Sequence, residues 1–205
     1  KNAKNGCKEA FDENALEEHE SDCVYRLVPC IANEFGCNEK VIFQNVIQHY
    51  EHKHATLIPM DNNTKRVASK MSHVKIDLNG KHFILTCTSS KKFKCGTKEL
   101  CLLFQRVYLI GSPKEAKHFA FTLKFFGPNS TNVYTGKVAA VDESYESLFA
   151  SGSGKVCTFE LQAFRNQFLN EDGKYEYSLE IRNLKEEVKD ENVDSGASDI
   201  EDSNE

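Results

Sequence analysis

The chain has 205 residues, 40% of them hydrophobic and 28% charged, with a formal net charge of −5, which is enough for one or two folded domains. Its apolar runs are only a few residues long, whereas a membrane helix needs about 20, so a transmembrane span is excluded. No signal peptide is visible, and because the first residue is Lys1 and not Met, we expect a fragment of a longer protein. Acidic side chains outnumber basic ones by 10 to 6 in residues 1–54 and by 9 to 2 in residues 185–205, but basic ones lead by 18 to 12 in between, which predicts three regions.

Cysteine and histidine alternate in the first quarter of the chain. The residues are Cys7, His19, Cys23, Cys30, Cys37, His49, His52 and His54. Disulfide bonds do not require histidine, whereas thiolate and neutral imidazole together form a tetrahedral ligand set that suits zinc. The pattern therefore predicts structural zinc. Four other cysteines (Cys87, Cys95, Cys101, Cys157) are scattered, and we interpret them as buried thiols in a reducing compartment.

The same region contains a thirty-residue repeat. Its two copies are Cys7, Phe11, Leu16, His19 and Cys37, Val41, Val46, His49. This layout is typical of a small ββα-like zinc finger, in which two apolar side chains form the core and the histidine lies on the helix. Because so short a unit buries little surface, bound metal supplies the folding free energy, on the order of 10 kcal/mol.

The second unit is complete. It offers Cys30, Cys37 and His49 as three ligands, and the fourth is His52 or His54. On a regular helix His49 and His52 share a face, whereas His54 requires the helix to end or tighten. Spacing alone leaves both histidines open.

The first unit lacks one ligand. It has Cys7, His19 and Cys23, and the repeat places the counterpart of Cys30 just before Lys1. A zinc ion with three protein ligands and an open position resembles a catalytic site, but truncation of the chain explains the gap more simply. We therefore predict two structural zinc sites over residues 1–54, the first of them incomplete.

The predicted finger helices do not favour nucleic-acid binding. Residues 12–18 are acidic and residues 44–48 are uncharged, whereas contacts with phosphates and base edges need lysine and arginine. We predict no nucleic-acid partner. A nucleic-acid-binding finger protein is a rival interpretation that steep salt dependence of binding would favour.

From about residue 76 the pattern changes to strand alternation. Apolar Tyr175, Tyr177, Leu179 and Ile181 alternate with polar residues, and residues 82–86, 103–110, 119–125 and 133–138 are further strand candidates. Turns are predicted at Asn79-Gly80 and Asp172-Gly173, a capping box at Ser112–Glu115, and a second short helix at Leu161, Phe164 and Phe168. Many short strands with few helices predict an antiparallel β-sandwich over residues 76–184.

The remaining segments carry little that predicts chemistry. Residues 55–75 are a linker or edge segment, and residues 185–205, acidic and without aromatic residues, are predicted to be a disordered tail. The sequence contains no phosphate loop, no nucleophile elbow and no oriented His–Cys pair, so we predict no catalytic residue in this chain.

The finger pair followed by a sandwich resembles the seven-in-absentia (Sina/Siah) family of ubiquitin ligases. The finger spacing is similar to the family's: a six-residue gap, an eleven-residue gap, then three residues before Cys23 or four before His54. Residues 78–85, 107–120 and 157–181 also look related. On this resemblance His54, and not His52, is the fourth ligand of the second finger.

The resemblance implies a TRAF-like sandwich that forms homodimers and binds degron-bearing proteins by adding their peptide as a strand. It also implies that a RING domain, absent from this chain, recruits the ubiquitin-conjugating enzyme. The chain would then be the substrate-recognition and dimerisation part of a Sina/Siah-like RING E3 ubiquitin-protein ligase acting in proteasomal degradation, in the cytoplasm or the nucleus. The alternative is a RING-less TRAF-like adaptor without ligase activity.

The peptide-binding edge of the family corresponds to residues 56–74. This stretch is shorter here, polar and basic, and lacks tryptophan, so a degron preference cannot be carried over. The apolar candidates for a groove are Leu57, Ile58, Val67, Met71 and Val74. The competing interpretation is that these are ordinary packing residues.

Overall fold

The computed structural model describes residues 2–54, 58–60, 65–68, 73–90, 92–143 and 152–186. In this part of the chain a finger region precedes two mostly antiparallel sheets, so the predicted fold class is confirmed. No helix among the described residues is long and apolar enough to cross a membrane. The predicted disordered tail, residues 185–205, lies outside the described residues except for Lys185 and Glu186.

The first finger unit consists of a 3-10 turn (Asn2–Asn5) and helix α1 (Glu13–Asp22). Asp12 caps the helix, because its side chain accepts a hydrogen bond of 2.9 Å from the backbone N–H of Ala15. Phe11 and Leu16, which were predicted to form a core, are each 41% exposed. That prediction is wrong for this unit, since no residue of α1 is buried.

Ion pairs join helix α1 to the sandwich. Lys114 Nζ lies 2.6 Å from Glu18 Oε1 and 3.8 Å from Asp22 Oδ2. All three side chains are largely exposed, so water and salt screen both pairs and they contribute little to stability.

The second finger unit has the predicted ββα order. Strands β1 (Leu27–Pro29) and β2 (Lys40–Ile42) pair antiparallel, and helix α2 (Val46–Lys53) follows. Its two apolar positions do form a core, because Val41 and Val46 are buried.

Of the fourteen strands in the described residues, ten form the two sheets of the sandwich and two form a separate hairpin that follows β6. Their bounds are β3 Ile58–Met60, β4 Lys65–Ala68, β5 Val74–Leu78, β6 Lys81–Ser89, β7 Phe93–Cys95, β8 Lys98–Leu100, β9 Leu102–Leu109, β10 Phe119–Phe126, β11 Thr131–Lys137, β12 Ala139–Ala140, β13 Cys157–Glu160 and β14 Tyr175–Asn183. The larger sheet has the order β12-β9-β6-β5-β3 with β13 also pairing β9, the smaller has β11-β10-β14-β4, and β7 and β8 form a separate hairpin. All pairs are antiparallel except β3–β5 and β9–β12.

Several predicted connections are present. Asn79 and Gly80 both have positive φ, as a two-residue hairpin turn between β5 and β6 requires. Helix α3 (Pro113–Ala116) begins with a complete capping box, in which Ser112 Oγ accepts from the N–H of Glu115 and Glu115 accepts from the N–H of Ser112. Helix α4 is Leu161–Phe168.

The core between the sheets is apolar. Phe121, Leu123 and Phe125 alternate along β10 and are almost completely buried. Helix α4 closes one end of this core, where the rings of Phe164 and Phe168 lie 5.3 and 5.6 Å from that of Phe125. Edge-to-face and tilted ring pairs of this kind add to the free energy gained from burial.

The four scattered cysteines differ in exposure. Cys87 and Cys157 are buried as predicted, and burial raises their pKa values to about 11 and about 12, so both thiols stay protonated at neutral pH. Cys101 is half-buried. Cys95 is exposed in the β7–β8 hairpin, so the prediction of a buried thiol is wrong there.

The second finger packs on the outer face of the larger sheet. Ile84 and Tyr108 are cross-strand partners on that face and belong to one apolar cluster with Val28, Val46 and Tyr50 of the finger. Strand β6 is therefore buried on both faces, so residues 83–88 form one continuous buried run instead of alternating.

Arg26 connects both finger units to the sandwich. Its guanidinium donates to the carbonyls of Cys23 and Gly111, each at 3.2 Å, and lies 3.8 Å from the centre of the Phe43 ring. The carboxylate of Asp142 lies 3.6 Å from its Nε. Because Arg26 is 7% exposed, these contacts replace the water that the charge loses.

The segment predicted as a linker or edge, residues 55–75, supplies a terminal strand to each sheet. Strand β3 pairs parallel with β5, placing Ile58 opposite Val74, and β4 pairs antiparallel with β14, placing Val67 opposite Glu176.

We expect Tyr50 to be a main determinant of how firmly the finger is held. Its ring is 1% exposed, while its Oη has no hydrogen-bond partner among the described residues. Tyr50→Ala leaves a cavity and is expected to cost about 3–5 kcal/mol in the free energy of unfolding, measured by urea denaturation in zinc-containing buffer. Tyr50→Phe, the control, removes only the unpaired hydroxyl and is expected to change stability by less than about 1 kcal/mol. Equal destabilisation by both variants would show that the hydroxyl, not the packing, matters.

Candidate metal centre

Four side chains of the second finger unit converge on one point. The ligand atoms of Cys30, Cys37, His49 and His54 all lie within 4.8 Å of one another. Cys30 follows β1, Cys37 follows a 3-10 turn (Ile31–Phe35), His49 lies on α2, and His54 immediately follows that helix.

Local backbone conformation directs these ligands. The 3-10 turn ends at Gly36, whose φ of +94° is readily adopted by glycine and turns the chain into Cys37. At the other end, α2 stops at His54, whose N–H still donates to the carbonyl of Tyr50 at 3.0 Å. His54 thus leaves the helical path and its ring reaches the cluster.

His52 does not join the cluster. It is exposed, and its Nδ1 lies 2.7 Å from the carbonyl oxygen of Gln48. The structure therefore places His54, and not His52, beside Cys30. His54 occupies the fourth ligand position, which the spacing left open.

The separations fit a tetrahedral zinc ion. Ordinary Zn–S and Zn–N bond lengths give edges of about 3.6 Å between sulfur and nitrogen and about 3.3 Å between two nitrogens. The Sγ–Nε2 separations are 3.2 Å for Cys30–His54 and 3.7 Å for Cys37–His49, and the two Nε2 atoms lie 3.2 Å apart. The two sulfurs and two nitrogens of this cluster are a usual zinc ligand set, so the predicted cofactor is confirmed as zinc.

The pKa values of the Cys30 and His54 side chains also favour the binding of a cation at this cluster. Burial raises the pKa of the Cys30 thiol to about 12, so it stays protonated at neutral pH unless a positive charge stabilises the thiolate. Burial and the neighbouring His49 lower the pKa of His54, which keeps its imidazole neutral and able to ligate.

The first unit holds three ligands in the described residues. Cys7, His19 and Cys23 have their ligand atoms within 4.8 Å of one another, with 3.3 Å between Cys7 Sγ and His19 Nε2. The ring of Phe11 stacks on that of His19 with centres 4.1 Å apart. All seven ligands predicted from the repeat and the resemblance are thus gathered into two clusters.

Two carboxylates beside these clusters were missed by the sequence reasoning. Glu9 Oε2 lies 3.1 Å from His19 Nδ1, and Glu39 Oε2 lies 3.5 Å from His49 Nδ1. The signal was available, because each glutamate stands two residues after a cysteine of the thirty-residue repeat, Cys7 and Cys37.

The candidate peptide groove is only partly covered by the structure. Leu57 and Met71 lie outside the described residues. Val67 lies in the terminal strand β4. Val74 is 1% exposed and packs in the core, so its side chain is not available to a peptide.

Comparison with known proteins gives matches to both parts of the chain. Residues 1–77 match the family described as "Sina, zinc finger". The "Probable E3 ubiquitin-protein ligase sinah" of Drosophila melanogaster is 24% identical over 191 residues, which cover 88% of this chain and 51% of that protein. The "E3 ubiquitin-protein ligase siah2" of Xenopus laevis is 25% identical over 141 residues, 62% of this chain and 42% of that protein. The chain thus spans about half the length of these relatives.

Removal of single histidines tests the second cluster. His54→Ala removes one of four ligands and is expected to release zinc from this site during dialysis, as is Cys30→Ser, which should also unfold the second finger. His52→Ala, the matched control, is expected to retain the zinc of the unmodified protein. Zinc per chain is measured by atomic emission. Retention of zinc by His54→Ala, or its loss from His52→Ala, would contradict the assignment.

Proposed function

Because the chain is a Sina/Siah family protein, we propose that it is the substrate-recognition and dimerisation part of a RING-type E3 ubiquitin-protein ligase. The observation that carries the proposal is the continuous arrangement of the two parts. The family match covers the fingers, the Drosophila alignment extends over 88% of the chain, and the second finger and the sandwich share one apolar cluster.

The role of zinc in this proposal is structural. Bound zinc supplies folding free energy and holds the finger in shape, and no residue of the chain takes part in a covalent step. The transfer of ubiquitin from a conjugating enzyme belongs to a RING domain outside this chain. The contribution of the chain is to hold the protein that is to be modified.

We place the binding of degron-bearing proteins at the terminal strands β3 and β4. In the described part of the chain each has a neighbouring strand on one side only, so backbone groups on the other side can pair with an extended peptide. Leu57, Val67 and Met71 are the side chains proposed to line this groove. A reducing location, cytoplasm or nucleus, accompanies the proposal because the thiol ligands must stay reduced.

Expression of the chain without its RING domain tests ligase function against a scaffold role. The chain is expected to occupy its binding partners and shield them from ubiquitination, so the proteins that co-purify with it gain a longer half-life in a translation-block experiment. A RING-less adaptor would bind proteins without changing their half-lives, and this result would overturn the proposal.

A pair of variants makes the experiment specific to the groove. Val67→Lys introduces a charge on the terminal strand β4, whereas Val133→Lys, at a 59% exposed site, introduces the same charge on β11 at the other edge of the same sheet. Val67→Lys is expected to abolish the lengthening of half-lives and Val133→Lys to preserve it.

Dimerisation through the sandwich is tested by light scattering of the zinc-loaded protein. At micromolar concentration the expected mass is twice that of one chain. A monomer under these conditions would count against this part of the proposal.

A further inference from the structure

The two glutamates beside the metal clusters occupy equivalent positions. Glu9 follows Cys7 and Glu39 follows Cys37 at the same spacing, so the thirty-residue repeat includes them. We propose that Glu9 and Glu39 are positioning residues that orient the ligand histidines of their units and thereby raise zinc affinity. This inference concerns metal binding only and does not depend on the ubiquitin-ligase proposal.

Each histidine uses its two ring nitrogens in the same way. His19 places Nε2 3.3 Å from Cys7 Sγ and Nδ1 3.1 Å from Glu9. His49 places Nε2 3.7 Å from Cys37 Sγ and Nδ1 3.5 Å from Glu39. A carboxylate at Nδ1 favours the tautomer that carries its proton there, which leaves the Nε2 lone pair for the metal.

The backbone fixes Glu39 relative to two ligands. Its carbonyl oxygen accepts a hydrogen bond of 3.0 Å from the N–H of Cys30, while its carboxylate faces His49. One residue therefore holds a cysteine ligand through the main chain and a histidine ligand through the side chain. This connection makes the orientation of the His49 ring depend on the hairpin that carries Cys30 and Cys37.

A simpler role for Glu39 must be separated from this one. Its Oε1 lies 3.7 Å from Lys53 Nζ, and its side chain is 54% exposed, so it could act as a surface ion pair alone. Such an exposed pair contributes little to stability because water and salt screen it. Glu51, on the same helix as Lys53, forms an ion pair with Lys75 at 3.8 Å and belongs to neither ligand cluster of the described residues.

Zinc competition with a chromophoric chelator, using the full chain, distinguishes these roles. Glu39→Gln is expected to lower the zinc affinity of the second cluster by about 10- to 100-fold. Lys53→Gln removes the ion pair but leaves the Glu39 carboxylate in place, and Glu51→Gln removes a carboxylate of the same charge elsewhere on the finger; both are expected to stay within about 3-fold of the unmodified protein. The proposal fails if Glu39→Gln also stays within that range, or if Lys53→Gln or Glu51→Gln lowers affinity as much.

A second readout reports on the histidine itself. In the zinc-loaded protein, NMR is expected to show the His49 Nδ1–H proton protected from exchange with water, and Glu39→Gln to accelerate that exchange while Glu51→Gln does not. Unchanged exchange in Glu39→Gln would overturn the positioning role.

If Glu39→Gln does not fold, the first cluster allows an independent test of the proposal. Glu9 is 66% exposed and α1 contains no buried residue, so Glu9→Gln leaves the core unaffected. It is expected to weaken zinc binding at the first cluster by the same 10- to 100-fold, with Glu13→Gln of α1 as the unaffected control. Equal affinities of these two variants would refute the proposal.

Discussion

Two adjacent residues of helix α2 contact different parts of the protein, one the metal-ligand cluster and the other the larger sheet. His49 directs its Nε2 toward the ligand cluster, and Tyr50 directs its ring toward the outer face of the larger sheet. Since successive helical residues point about 100° apart, one rigid helix can serve both without distortion. The orientation of the metal ligands and the position of the finger on the sandwich are therefore fixed together.

The central strands β6 and β9 are buried on both faces of the sheet, so their buried residues are continuous and do not alternate with exposed ones. Strand β6 packs against the sandwich core with one face and near the finger with the other, and β9 beside it is buried along almost its whole length. The outer face is not wholly apolar, however. Arg106, fully buried, donates to Tyr108 Oη at 3.1 Å and to Thr88 Oγ1 at 3.3 Å, so a charge is accommodated there by hydrogen bonds.

Local sequence patterns predicted the elements well, and long-range contacts explain the failures. The ligand repeat, the β5–β6 turn and the capping box at Ser112 depend on short spacings, which the sequence displays directly. Spacing could not choose between His52 and His54, because the choice depends on where α2 ends. The exposure of Phe11 and Leu16 could not be predicted either, since the repeat makes the two units look alike while only the second one lies against the sheet. The consecutive apolar residues Phe83, Ile84 and Leu85 of β6, which do not alternate with polar ones, were the available hint that a second surface would cover the strand.

The absence of buried residues in α1 affects the order in which parts of the protein unfold locally. Helix α1 is attached to the rest of the protein by its ligand cluster, by exposed ion pairs with Lys114, and by the hydrogen bond that Arg26 donates to the carbonyl of Cys23. None of these contacts depends on apolar packing. Stability in a folded chain is divided among units that unfold separately, and units with little buried surface open at the lowest free energy. The backbone amides of α1 are therefore expected to exchange with solvent well before those of β6 and β10. Substitutions on the outer surface of this helix are correspondingly expected to have little effect on the stability of the sandwich.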